Sequence, residues 1–162
     1  MSWLIGYYSK NKITADHGAN LHPDPLVTYS NDHLYLAAGG NNDTLAHQTQ
    51  GHEDKFIVCG FGISQDAENI LDAADWKNIL RDKQNRLKSL NGHFCGVLVK
   101  ANTIHLFTDQ LGLREIFIYP AHDGFYFSSR LDLILNLDSF EIDFRALSSR
   151  WLSVDQFGFD SI

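Results

Sequence analysis

Between Leu90 and Leu135 the chain reads LNGHFCGVLVKANTIHLFTDQLGLREIFIYPAHDGFYFSSRLDLIL, and this run limits the fold more than any other. Phe94 to Lys100 alternates and is β-branched, and Ala101-Asn102 is a tight polar turn. Thr103 to Thr108 returns with Ile104, Leu106 and Thr108 on one side and His105 and Phe107 on the other. Glu115 to Tyr119 and Phe125 to Ser128 make a second such pair around Pro120-Ala121-His122-Asp123-Gly124. Strands this close, joined by turn residues, predict an antiparallel meander.

The link between the second and third strands is Asp109-Gln110-Leu111-Gly112-Leu113-Arg114. Asp109 is suited to accept from nearby backbone N–H groups, and Gly112 to take the positive φ of a sharp reversal. These features give structure and no chemistry. His93 and His105 are expected to face each other across the first hairpin, as an ordinary surface pair.

The same run resembles the second half of the glutamine amidotransferase domain at the front of asparagine synthetases. That family carries L-x-G-x-F-A-F-A, then R-D-x-x-G-x-K/R-P-L-Y/F, then a strand pair ending F-A-S-E and a helix. Leu90, Gly92, Phe94, Asp109, Gly112, Arg114, Phe117, Phe127, Ser129 and Leu131 fall on this pattern. Thr108 replaces its arginine, Glu115 its proline and Arg130 its glutamate. The resemblance implies an α+β fold of the N-terminal nucleophile type, a four-layer αββα sandwich with two mainly antiparallel sheets. Pattern alone supports α+β.

Family members begin M-C-G-I-x-G, and the cysteine freed by Met removal is their nucleophile. Here Ile5-Gly6 keeps the later glycine, with Ser2 at the cysteine and Trp3 at the first glycine. Ser2 is therefore the candidate catalytic residue. Its own amine, with an unperturbed pKa of about 7.7–8.0, would be the base. The bland alternative is a small second residue left after the nucleophile was lost. The run from Trp3 to Tyr8 is apolar and reads as a strand that places Ser2.

Three further family features bear on the pocket. An arginine in the region before residue 53 grips the glutamine carboxylate in active members, yet no arginine lies between Met1 and Glu53. Lys10 and Lys12 are the cations there, and lysine lacks the bidentate fork. Family strands end Asn-Gly-Glu, the asparagine serving the oxyanion hole. On the apolar strand Phe56 to Gly62, Cys59-Gly60-Phe61 takes that place. Gly60 is retained as a substrate-side candidate, while Cys59 reads as a buried strand thiol rather than a displaced nucleophile. An aspartate at a helix start binds the substrate amine in the family. Asp72 or Asp75 aligns, and Asp75, an N-cap candidate, is named for that role beside its capping one.

The remaining chain fills in around these. Lys10 to Pro25 is a polar loop, Leu26 to Ser30 and His33 to Ala38 a hairpin about Asn31-Asp32, and Gly39 to Asp54 a second loop. Ser64 to Leu71 is expected to form a short helical turn. From Asp75, Trp76, Ile79, Leu80, Leu87 and Leu90 share a helical face. Helices are expected over 130–136 and after Asp143, with Phe144, Leu147, Trp151 and Leu152 on the buried side of the latter.

Totals exclude some functions. Hydrophobic residues at 44% fit one globular domain over 1–162, which at this length buries about 70% of its unfolded surface. A net charge of −7 argues against nucleic acid or an anionic membrane as partner. No apolar run approaches the roughly 18–20 residues of a membrane span, and Cys59 and Cys95 read as reduced buried thiols, with a disulfide as the lesser alternative, so a cytoplasmic setting is expected. The histidine pairs His17/His22 and His47/His52 are five apart in loops, a spacing that presets no metal site.

Phe157-Gly158-Phe159 resembles the point where the family's ATP-binding synthetase domain begins, so such a domain, with its ATP and Mg, is expected after Ile162. No S-G-G-x-D signature of that ATP site occurs in the chain. The expected partners are this synthetase domain and, as a further expectation, a second copy in a homodimer. Three functions are open: a degenerate amidotransferase domain fronting an amide-forming ligase, an amidohydrolase using Ser2, and a stand-alone interaction domain. The first leads, because nucleophile, anchoring arginine and oxyanion asparagine all depart from the pattern while the Asp109 to Phe117 motif is kept.

Overall fold

A computed structural model describes residues 1–13, 22–51, 54–64, 69–82, 84–101 and 103–137. The described residues form β1 (Trp3–Ser9), β2 (Val27–Ser30), β3 (Leu34–Gly39), β4 (Leu45–Gln48) and β5 (Lys55–Ile63). Then come α1 (Ala73–Asp82), β6 (Asn91–Lys100), β7 (Thr103–Thr108), β8 (Phe117–Ala121), β9 (Gly124–Ser128) and α2 (Leu131–Leu135). Two antiparallel sheets result, one in the order β2-β3-β1-β9-β8 and the other β4-β5-β6-β7.

Side-chain alternation explains how these sheets stack, since neighbouring residues point to opposite faces. Leu4, Leu36 and Phe127 of the first sheet meet Ile57, Cys59, Cys95 and Val97 of the second in a shared slab. Their neighbours Phe56, Val58, Phe94 and Leu98 face the other way and cover Trp76, Ile79 and Leu80 of α1. On the opposite outer face Trp3, Ile5 and Ala37 pack on Leu133 of α2. The layer order is helix, sheet, sheet, helix, as expected. The apolar runs of β1, β5 and β6 are explained by burial on both faces. Fully burying one such side chain stabilises the fold by about 1.5–3 kcal/mol.

The expected meander is corrected. β6 and β7 form one hairpin in the second sheet, while β8 and β9 form another in the first. Asp109 to Ile116 is the passage between sheets, and Asp109 organises it. One carboxylate oxygen accepts from the N–H of Leu111 at 3.1 Å and of Leu113 at 3.0 Å; the other accepts from Arg114 N–H at 3.0 Å. Gly112 takes φ +63, and its N–H donates to the Asp109 carbonyl.

Other boundaries shift for local reasons. β8 continues through Pro120, which an edge strand tolerates because its missing N–H leaves no ladder bond broken. Asp72, not Asp75, caps α1: its carboxylate accepts from the N–H of Ala74 and Asp75. Asp75 answers by accepting from Asp72 N–H at 3.2 Å, a reciprocal capping box. Near Ser64, the described residues bridge Ile63 to Ile70 in antiparallel fashion and are not helical. His93 pairs with Phe61 on β5, and His105 lies opposite Leu98, so the two histidines do not face each other. The helix expected after Asp143 lies outside the described residues, as do His17 and His52. Among the described residues, no helix is long and apolar enough to cross a membrane.

Asp109→Ala removes the acceptor for three backbone donors and is expected to cost about 2–3 kcal/mol, measured by urea denaturation. Burial would raise the Asp109 carboxyl, but the N–H groups of Leu113, Arg114, Leu111 and Phe94 together hold it below its ordinary 3.8. A carboxyl lowered by folding stabilises fully above its unfolded value and loses that contribution as pH falls through the folded one. Stability is therefore expected to drop below pH 3.8 with a slope that Asp109→Asn reduces.

Candidate functional site

Ser2 precedes β1 and is 1% exposed, while Met1 outside it is 86% exposed. The strand has therefore placed the second residue and left the first at the rim. Pairing of β1 with β3 brings Gly39 opposite Trp3 and the following turn over Ser2. A Cβ on Gly40 would lie 2.4 Å from the Met1 carbonyl oxygen, so this turn needs glycine to sit so close. The short 3-10 turn Asn42–Thr44 follows and supplies the first partners of Ser2.

The Ser2 hydroxyl donates to the Thr44 carbonyl at 2.7 Å. The Thr44 hydroxyl lies 3.0 Å from Ser2 Oγ and 3.1 Å from the Asn41 carbonyl, sharing its proton between them. From the far side Arg114, itself 7% exposed, donates through Nη2 to the Ser2 carbonyl. The Asp109 turn thus delivers a guanidinium to the end of β1. Ser129 completes the corner by accepting from Leu4 N–H at 3.0 Å.

Two thiols lie beneath. Burial, then the neighbouring Cys95, pushes the Cys59 thiol up to about 12, against the opposing effects of Arg114 and the Ser2 hydroxyl. Burial likewise raises Cys95 to about 11, despite Arg114 and Ser129. At neutral pH both are protonated, and neither is a ready nucleophile. Both are buried, as expected.

A cavity of about 490 Å³ opens beside Ser2, lined among others by Met1, His93, Arg114, Glu115, Ser129 and Arg130. Arg130 is already committed to Asp132, its Nε at 2.9 Å from the carboxylate. His93 bonds the Leu113 carbonyl at 3.1 Å. With Met1 attached, the nitrogen of Ser2 is an amide and cannot act as a base. The Ser2 proton is directed at a carbonyl. The corner therefore holds the Ser2 hydroxyl between the Thr44 carbonyl and the Thr44 hydroxyl.

The other expected site residues, Gly60 and Asp75, do not line this cavity. Gly60 has φ +105, and a Cβ there would fall 2.0 Å from the His93 carbonyl oxygen. Close pairing of β5 with β6 accounts for that glycine by itself. Asp75 lines a separate cavity of about 290 Å³ with Asn69, Asn78 and Arg86, which Ser2 does not border. Sequence reasoning missed Thr44 as a partner of Ser2, and treated Arg114 and Ser129 only as pattern residues. Among the described residues, no three His, Cys, Asp or Glu side chains gather where a metal ion could be held.

Two antiparallel sheets between helices, with a buried serine at the start of a central strand, define the class of architecture to which comparison can be made. The family model of the glutamine amidotransferase domain matches residues 22–136, well over half of the chain, and the protein belongs to that family. The match spans β2 to α2 and leaves Ser2 outside it. No curated protein matches the chain in sequence.

Gly60→Ala is expected to destabilise the fold by about 3 kcal/mol or more, because it combines a left-handed φ with a backbone clash. Thermal unfolding with and without the substitution checks this. A neutral result would mean that β5 and β6 separate at Gly60.

Proposed function

We propose that this glutamine amidotransferase domain is degenerate. In this reading it lacks glutaminase activity and is a structural or partner-docking front end of an asparagine synthetase-related, ATP-dependent, amide-forming ligase. The observation that carries the reading is Ser2. Its hydroxyl is buried and hydrogen-bonded to Thr44, with a raised thiol, not an amide donor, at Cys59 beside it. An oxyanion-hole donor is worth roughly 2.7–4 kcal/mol of barrier, so a corner without one is poorly equipped for amide hydrolysis. ATP and Mg belong, in this reading, to a domain following Ile162, which is also the partner that the domain docks.

A second reading, an N-terminal-nucleophile amidohydrolase using Ser2, draws on the cavity of about 490 Å³ that adjoins Ser2 and Arg114. Removal of Met1 would turn the Ser2 nitrogen into an amine, the base that it otherwise lacks.

One experiment separates them. The purified chain, with loss of Met1 verified by mass spectrometry, is assayed for glutamate release from glutamine alongside Ser2→Ala and Ser2→Cys. Background rates in all three, with circular dichroism unchanged, are expected. Release by the parent that disappears in Ser2→Ala would overturn the degenerate reading and make Ser2 the nucleophile.

A further inference from the structure

The strand register makes Cys59 of β5 and Cys95 of β6 direct cross-strand partners. Both are fully buried, and both belong to the slab between the sheets. Opposed residues of an antiparallel pair have Cα atoms about 4.5 or 5.5 Å apart, depending on whether the pair is hydrogen-bonded. Either spacing lies within the roughly 4.4–6.8 Å that a disulfide spans. Side chains of opposed residues leave the sheet on the same face, so the two sulfurs are neighbours. Each has polar company unusual for a core thiol: Ser2 near Cys59, Ser129 near Cys95, and Arg114 near both. Those three residues also line the cavity beside Met1, so they stand between that cavity and the covered sulfurs.

We propose that Cys59 and Cys95 are a redox site, forming a reversible cross-strand disulfide that ties β5 to β6 beneath Ser2. The oxidant is a low-molecular-weight disulfide. Cys95 loses its proton and its sulfur attacks the small disulfide, giving a mixed disulfide and one small thiolate. Cys59 then loses its proton and attacks the Cys95 sulfur, and the second small thiolate leaves. Both thiolates take up the released protons. The pair has lost two electrons and two protons, and the oxidant has become two thiols. The two sulfurs can exchange roles in this sequence without changing its balance. Reaction is slow on the folded chain, where the sulfurs are covered and protonated, and faster during folding. The site is independent of the proposed loss of glutaminase activity.

The test uses the whole chain, refolded with oxidised glutathione and, separately, with dithiothreitol. Expected with the oxidant is a monomer without free thiols, lighter by two hydrogens, with unchanged circular dichroism. Its urea midpoint is expected to be higher, falling back on reduction. Two free thiols after refolding in the oxidant, glutathione adducts or covalent dimers would each overturn the proposal. So would an oxidised monomer whose midpoint is no higher than that of the reduced chain.

Discussion

One carboxylate accepting several backbone N–H groups sets the course of the chain's second half. Asp109 is buried, and burial by itself favours its neutral form, yet the carboxyl is lowered. The donors therefore outweigh the cost of desolvation. Their effect is geometric as well as energetic. By gathering Leu111, Leu113 and Arg114 around one point, Asp109 closes a tight loop where the chain leaves one sheet for the other. Arg114 is carried inward by that same loop and meets the carbonyl of Ser2, far away in sequence. The sheet-to-sheet passage and the N-terminal corner thus share one support.

This explains which parts of the fold were legible in the sequence. Strand positions followed from periodicity, because each strand buries one face or both, and the burial leaves its mark residue by residue. The assignment of strands to sheets did not follow. The β6–β7 and β8–β9 hairpins carry the same local pattern, and a meander and a two-sheet crossover differ only in what happens between them. Asp109 and Gly112 were recognised as turn residues, but nothing local states how far a turn carries the chain. The same limit explains α1. Asp72 and Asp75 form a reciprocal box, so either aspartate reads as the cap until the hydrogen bonds are known.

The site was less legible than the fold. Ser2 stood out through its position near the terminus, and its burial gives that position structural content. Thr44 carried no signal at all, since its contribution is a backbone carbonyl and a shared hydroxyl at a turn. Arg114 and Ser129 were visible as members of a pattern, but a pattern assigns no partner. Pairing of Cys59 with Cys95 depends on the register of two strands separated by a helix, information that no short window holds. Asp75 was chosen for its place at a helix start, and the helix itself accounts for it.

The corner and the core also differ in what they tolerate. Slab residues such as Ile57 and Val97 sit mid-strand with neighbours on every side, where a change of volume leaves a void or forces a shift. Position 59 is just as buried, yet what stands there is a small thiol that needs no hydrogen bond to be stable. A side-chain amide at that point would need partners for both its oxygen and its nitrogen, and leaving one unmet costs about 1–3 kcal/mol. The thiol removes that demand. In the degenerate reading proposed above, a thiol in place of a buried amide leaves no polar group there without a partner.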